Sequence, residues 1–175
     1  MKKFILTDET IDMFGVTLHR IKAVRSFGNI KEGDLGGFVE KEENVSHDGS
    51  AWVSGSACVY GSAYVCDKAC VYDKACVCDK ARVYDEACVC GSAHVSGSAR
   101  VYEDACVCDE ADYIVFKNWW SSGRYFTWTR SNNMWSVGCF YGTGEELIKK
   151  AYADSEKSGR EYERVVKYVQ SILEK

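Results

Sequence analysis

The chain has 175 residues, 46% of them hydrophobic, which is enough to bury one core with appendages. No apolar run approaches the roughly 20 residues that a membrane helix needs, and the start MKKFILTDET turns polar too early for a secretory signal, so a cytoplasmic protein without membrane contact is expected. The net charge of −4 hides an asymmetry: residues 51–112 carry five Lys/Arg against ten Asp/Glu, and residues 113–175 carry ten against seven. Ten cysteines would suit a secreted disulfide scaffold, yet nine occupy repeat positions and no export signal accompanies them, so reduced thiols are expected.

Residues 1–38 read as a cap and lead-in. Phe4-Ile5-Leu6 and Val16 to Val24 predict two short strands around the polar DETID segment, a hairpin covering whatever follows. The next stretch, from Gly28 to Val39, holds four glycines and predicts a tight, irregular lead-in.

From Ala51 the chain repeats every six residues as Ala-x-Val, with alanines from Ala51 to Ala111 and valines from Val53 to Val107, until Tyr113 replaces the valine. Repetition at a short fixed period signals a solenoid, in which each unit buries its apolar residues against copies of itself. Three units, 18 residues, make one coil that stacks about 4.8 Å on the next. Valine fills the interior and alanine the cramped inside of each corner. Gly55, Gly61, Gly91, Gly97, Asp67, Asp73, Asp79, Asp85 and Asp109 fall where the turn needs a residue tolerant of positive φ. A mostly β fold follows, with a parallel β-helix over 39–112 of a little over three coils.

The tail, 113–175, reads as a separate module. Tyr113–Trp120, Tyr125–Arg130 and Met134–Tyr141 are aromatic-rich runs that predict a three-stranded antiparallel meander. Two helices follow, one opened by the capping box Thr143-Gly-Glu-Glu146 and running to about Ala153, the other opened by Ser158-Gly-Arg-Glu161. Tyr162, Val165, Val166, Val169, Ile172 and Leu173 make one apolar stripe, expected to pack on the meander and the last coil, or to form an oligomer or target interface.

GDLGGFVE, followed by Asn44-Val45-Ser46 and Ala51-Trp52-Val53, resembles the opening of the YdcK-like hexapeptide-repeat proteins and of short relatives in phages and prophages. The resemblance covers roughly residues 20–112. It implies a left-handed coil and a phage- or prophage-encoded chain acting in the host cytoplasm.

The six-residue period also places the outward residues, since those 18 apart stack into columns. The first face displays Trp52, Cys70, Cys88 and Cys106 beside Ser54, Tyr72, Cys90 and Cys108; the second displays Cys58, Cys76 and His94 beside Tyr60, Cys78 and Ser96. The third displays Tyr64, Arg82 and Arg100 beside Cys66, Tyr84 and Tyr102. There Arg82, Arg100, Tyr84 and Tyr102 are candidates for stacking on one another, on a base or on an acidic partner. The adjoining corner aligns Asp67, Asp85, Glu86, Glu103 and Asp104, a column of carboxylates able to imitate a phosphate backbone, while Trp119 and Trp120 are candidates for contact through the tail.

Two squares of ligands, Cys88/Cys90/Cys106/Cys108 and Cys58/Cys76/Cys78/His94, look like zinc stoichiometry. Straight strands argue against a metal: Cβ atoms of residues i and i+2 lie about 6.6 Å apart, and four parallel side chains approach an ion from one side. No cofactor is expected. Many hexapeptide-repeat proteins are acyltransferases whose active sites resemble one another in a histidine base and a loop inserted between coils. Here no insertion breaks the register from 51 to 112, and His94 stands in a surface column. The expected function is therefore a non-enzymatic interaction protein, a dimer or trimer, binding a host protein or nucleoprotein, an inhibitor of a defence nuclease such as a CRISPR effector being one concrete form. Direct nucleic-acid binding, an acyltransferase-like enzyme and a purely structural self-assembling protein are the alternatives.

Overall fold

The computed structural model describes residues 1–174. A hairpin of β1 (Phe4–Met13) and β2 (Val16–Ala23) leads to β3 (Leu35–Val39). Ten two-residue strands, β4 to β13, then recur every six residues: Trp52–Val53, Cys58–Val59, Tyr64–Val65, Cys70–Val71, Cys76–Val77, Arg82–Val83, Cys88–Val89, His94–Val95, Arg100–Val101 and Cys106–Val107. They stack in parallel as three ladders, β4-β7-β10-β13, β3-β5-β8-β11 and β6-β9-β12, with a single bridge from Val45 to Val65 extending the third. The fold is thus a parallel β-helix, and its two four-rung ladders make about four coils where the hexamers alone predict little more than three. Val39 and Val45 supply the extra coil.

Every valine from Val53 to Val107 is fully buried, and the corner alanines are buried with them, so the interior is one continuous apolar column. Nothing but methyl groups fills it, as a stack of identical rungs demands. Turn chemistry follows the alternation of Gly and Asp. Asp67, Asp73, Asp79, Asp85 and Glu103 hold φ between 55° and 61°, a left-handed conformation costly to most residues. The carboxylates compensate: Asp79 accepts from the Gly97 N–H at 2.9 Å and Asp73 from that of Gly91 at 3.2 Å, each one coil further on. Asp79→Ala should cost about 1–2 kcal/mol, read as a lowered urea midpoint, with Asp79→Asn nearer the native value; equal stability of the two would show that the side chain plays no part in the turn. Asp109 differs from expectation. Its φ is −138° and its side chain caps a short 3-10 turn, Glu110–Asp112, that ends the coil.

At the first coil, β2 pairs β3 antiparallel and β3 pairs β5 parallel, so the hairpin continues one wall of the solenoid sideways. The polar DETID segment lies inside β1 instead of between strands, because an antiparallel ribbon needs an apolar pattern on one side only; the pairing shifts between Leu6 and Thr10 to accommodate it. Ile11, Met13 and Val16 pack with Leu18, Phe38 and Cys58 outside the coil. Lys3 is also buried, its ammonium 3.4 Å from the Asp48 carbonyl and 5.0 Å from the Phe27 ring centroid, and burial together with the Arg25 charge brings its pKa down to about 8.

Beyond the coil, β14 (Tyr113–Lys117), β15 (Tyr125–Thr129), β16 (Met134–Val137) and β17 (Phe140–Gly142) form an antiparallel sheet in sequence order. It has four strands where three are predicted, because Gly138, at φ 62°, folds the third run back on itself with Val137 opposite Phe140. The helices are α1 (Gly144–Asp154), with the expected Thr143 capping box, and α2 (Glu156–Leu173). The cap of α2 is Ser155, which accepts from the Ser158 N–H, three residues before the expected cap. Tyr162, Val166 and Val169 pack on Leu147, Phe126, Trp128 and Trp135 as a second core, made by the sheet and α1 without the last coil. Neither helix is long and apolar enough to cross a membrane.

Candidate interaction surfaces

The outward columns stand in the expected register: Trp52-Cys70-Cys88-Cys106, Cys58-Cys76-His94 and Tyr64-Arg82-Arg100 pair rung to rung. The last coil is covered by the sheet and not by the apolar stripe of the helix expected there. Backbone N–H groups in this stack point toward the following coil, as when Cys58 donates to the Ala75 carbonyl, so the final coil presents donors with no strand beyond them. Side chains of the C-terminal module and of the turn that ends the coil take their place. Arg100 N–H donates to Thr127 Oγ1 at 3.0 Å, Cys106 N–H to Ser131 Oγ at 2.8 Å, Cys108 N–H to Asp112 Oδ2 at 2.9 Å, and Ser96 N–H to the Tyr113 hydroxyl at 3.3 Å.

This docking removes part of the Tyr/Arg face from the candidate surface. Tyr102 is buried, stacked on Tyr84 with centroids 4.6 Å apart, tilted against Tyr141 and donating to the Phe140 carbonyl. Arg100 donates to the Gly138 carbonyl at 3.0 Å. Arg100 and Tyr102 are therefore seals between modules, with Tyr84 half-buried against them; Arg82 and Tyr64 stay exposed here, and Arg100 keeps part of its surface. Arg82, Lys80 and Arg100 border a shallow recess of about 380 Å³ with Ser62 and Ser98.

The carboxylate corner stays at the surface. Asp67, Glu86, Glu103 and Asp104 are exposed and Asp85 is half-buried. Asp85 has a turn role of its own, accepting from the Glu103 N–H at 3.5 Å, and Asp67 accepts from the Cys66 thiol. Lys68 pairs with Glu86 at 2.7 Å, both largely solvated, a geometry that contributes little stability. Asp104 accepts from Asn132 of the β15–β16 turn. The two tryptophans part company: Trp119 is 73% exposed, whereas Trp120 is buried against Tyr162 and Phe126 and belongs to the second core.

The thiols are less uniform than expected. Cys90 and Cys108, stacked 18 residues apart, are joined in a disulfide, and eight cysteines are free. Burial, with the neighbouring Cys78, pushes the Cys76 thiol up to about 12, and burial with the Asp67 carboxylate does the same to Cys66; both stay protonated, the reverse of an activated nucleophile. A cavity of about 370 Å³ also lies between the sheet and the helices, bordered by Asn118, Arg124, Cys139, Lys150, Asp154 and Tyr162. Its residues come from four separate segments with no shared spacing, so the sequence offers no signal for it. No protein-family model matches the chain, and no curated protein is significantly similar to it.

Proposed function

We propose that this chain is a non-enzymatic interaction protein, a small rigid solenoid whose acidic corner docks into a basic, nucleic-acid-binding groove of a macromolecular partner. The exposed carboxylate corner carries this reading. Asp67, Asp85, Glu86, Glu103 and Asp104, less the charge of Lys68, amount to four net negative charges over three stacked corners. At about 4.8 Å per coil the three corners occupy roughly 14 Å, which is one charge per roughly 3.6 Å, close to the one per 3.4 Å of a single DNA strand. A rod of that charge density competes for sites built to hold phosphates. The likeness of GDLGGFVE and the hexamers to phage and prophage hexapeptide-repeat proteins extends the reading: the partner is then a host protein or nucleoprotein in the cytoplasm, a defence nuclease being the concrete case.

The test reverses charge at Glu86 and Asp104, which lie outside the left-handed turn positions, so the corner backbone is undisturbed. Protein captured from host lysate by the native chain should be released as salt rises and should bind at least about tenfold more weakly to the Glu86→Lys/Asp104→Lys variant, with Trp119→Ala indistinguishable from native. Capture that survives the double reversal refutes the acidic-corner reading. Loss on Trp119→Ala alone moves the contact to the tail.

A further inference from the structure

Cys76, Cys78 and His94 meet on the second face of the solenoid. β8 ends at Val77, which points inward, so Cys76 and Cys78 on either side of it leave the coil outward, and β11 stacks on β8 with His94 opposite Cys76. Straight-strand geometry keeps the two thiols too far apart and on parallel courses. In the structure they lean together: one donor atom from each of the three residues lies within 4.8 Å of the others, and Cys78 Sγ is 3.4 Å from His94 Nε2. A tetrahedral zinc with Zn–S near 2.3 Å and Zn–N near 2.05 Å has ligand-to-ligand edges of about 3.5 to 3.8 Å, so small rotations of side chains already in place close the set.

The surroundings suit an ion that enters from solvent. Cys78 is buried at the floor, whereas Cys76 and His94 are half-buried and open to the surface. The Tyr60 hydroxyl faces both sulfurs, placed to donate to them as thiolates, and Cys58 lies one coil below Cys76. The other thiol group of this kind, Cys90, Cys106 and Cys108, has two of its sulfurs joined to each other. Two thiolates and an imidazole are soft to borderline donors, matched to Zn²⁺ or Cd²⁺ and poorly to Mg²⁺ or Ca²⁺. We propose that Cys76, Cys78 and His94 form an open metal site that takes one ion of the Zn²⁺ class per chain, with solvent or an exogenous ligand in the fourth position. Uptake releases the two thiol protons to solvent, and Tyr60 orients the thiolates from outside the ligand set. The site is on a different face from the acidic corner and stands independently of it.

The experiment uses the full chain with its Cys90–Cys108 disulfide intact, stripped of metal, titrated with Zn²⁺ alone against a chromophoric chelator and with Co²⁺ alone by absorbance. One ion per chain should bind, and the Co²⁺ form should show thiolate charge-transfer absorption. His94→Ala and Cys76→Ser, both at half-buried positions, should each weaken binding on the order of 100-fold with an unchanged far-ultraviolet spectrum, and Tyr60→Phe by about tenfold; Cys106→Ser should bind as the native chain does. A native chain that takes up no stoichiometric ion, an ion retained undiminished by His94→Ala, or an ion lost only on Cys106→Ser each overturns the proposal.

Discussion

Val77→Asp and Val83→Asp are each expected to leave no folded protein. Both valines have no exposed surface and sit mid-stack, Val77 between Val59 and Val95, Val83 between Val65 and Val101. The column around them holds only valine and alanine side chains, so a carboxylate there finds neither a hydrogen-bond donor nor a cation. Such a group costs several kcal/mol even after it is protonated, against a total stability on the order of 5 to 15 kcal/mol. Position adds to the cost. A coil touches only its neighbours, so a defect at the middle rung separates the two halves of the solenoid. Val77→Ala, which removes two methyl groups and leaves a small void, should cost about 2 kcal/mol and remain folded. Circular dichroism and the soluble yield check all three variants, and a cooperative native-like melt for either Asp variant would mean that the interior has been assigned to the wrong residues.

The interior is legible because one periodic pattern fixes it: once Val53 is inside, every sixth residue to Val107 is inside, and Trp52, Cys58, Tyr64 and their stacked successors point out of the coil, although the N-terminal cap buries Trp52 and Cys58. The limits of the reading are limits of periodicity. Val45 and Val53 are eight residues apart, with Asp48 and Gly49 in the longer corner, so the first coil escapes a six-residue count although its rung is otherwise ordinary. The replacement of valine by Tyr113 does mark the end of the solenoid, since that ring packs on the last coil and its hydroxyl donates to the His94 carbonyl. The covering of Arg100 and Tyr102 leaves no such mark. It depends on Thr127 and Ser131, common hydroxyl residues whose role appears only when the sheet is docked. Ser155 and Ser158 offer two caps for α2, and the earlier one is used because the helix then gains a turn that buries Ser158 and Gly159 against α1. The thiol set is legible as a column, since the six-residue count aligns Cys58, Cys76, Cys78 and His94, but its convergence is not: side chains perpendicular to straight strands would stay apart, whereas in the structure Cys76, Cys78 and His94 lean together.

Trp128→Ala is expected to detach the C-terminal module and expose the end of the solenoid. β15 works on both of its sides, with Phe126 and Trp128 in the second core and Thr127 between them turned to the last coil, where it accepts the Arg100 N–H. Trp128 is 1% exposed, and its indole N–H donates to Asn133 in the turn that also carries Ser131, the acceptor for the Cys106 N–H. Removing the ring should cost about 3 to 5 kcal/mol, enough to unfold a module whose core is this small. The loss then passes to the coil. With Thr127 and Ser131 released, the Arg100 and Cys106 amides face water along an open strand edge, which is a template for pairing with another chain. Faster hydrogen exchange at Arg100 and Cys106 and concentration-dependent self-association by light scattering are the expected results, while amides near Val59 and Val77 remain protected. Thr127→Val separates the two effects, because it leaves the tryptophan core intact and removes one acceptor; a loss of about 1 to 3 kcal/mol without detachment should follow. Native-like exchange at Arg100 and Cys106 in Trp128→Ala would show that the last coil holds itself closed and that the module is not its cap.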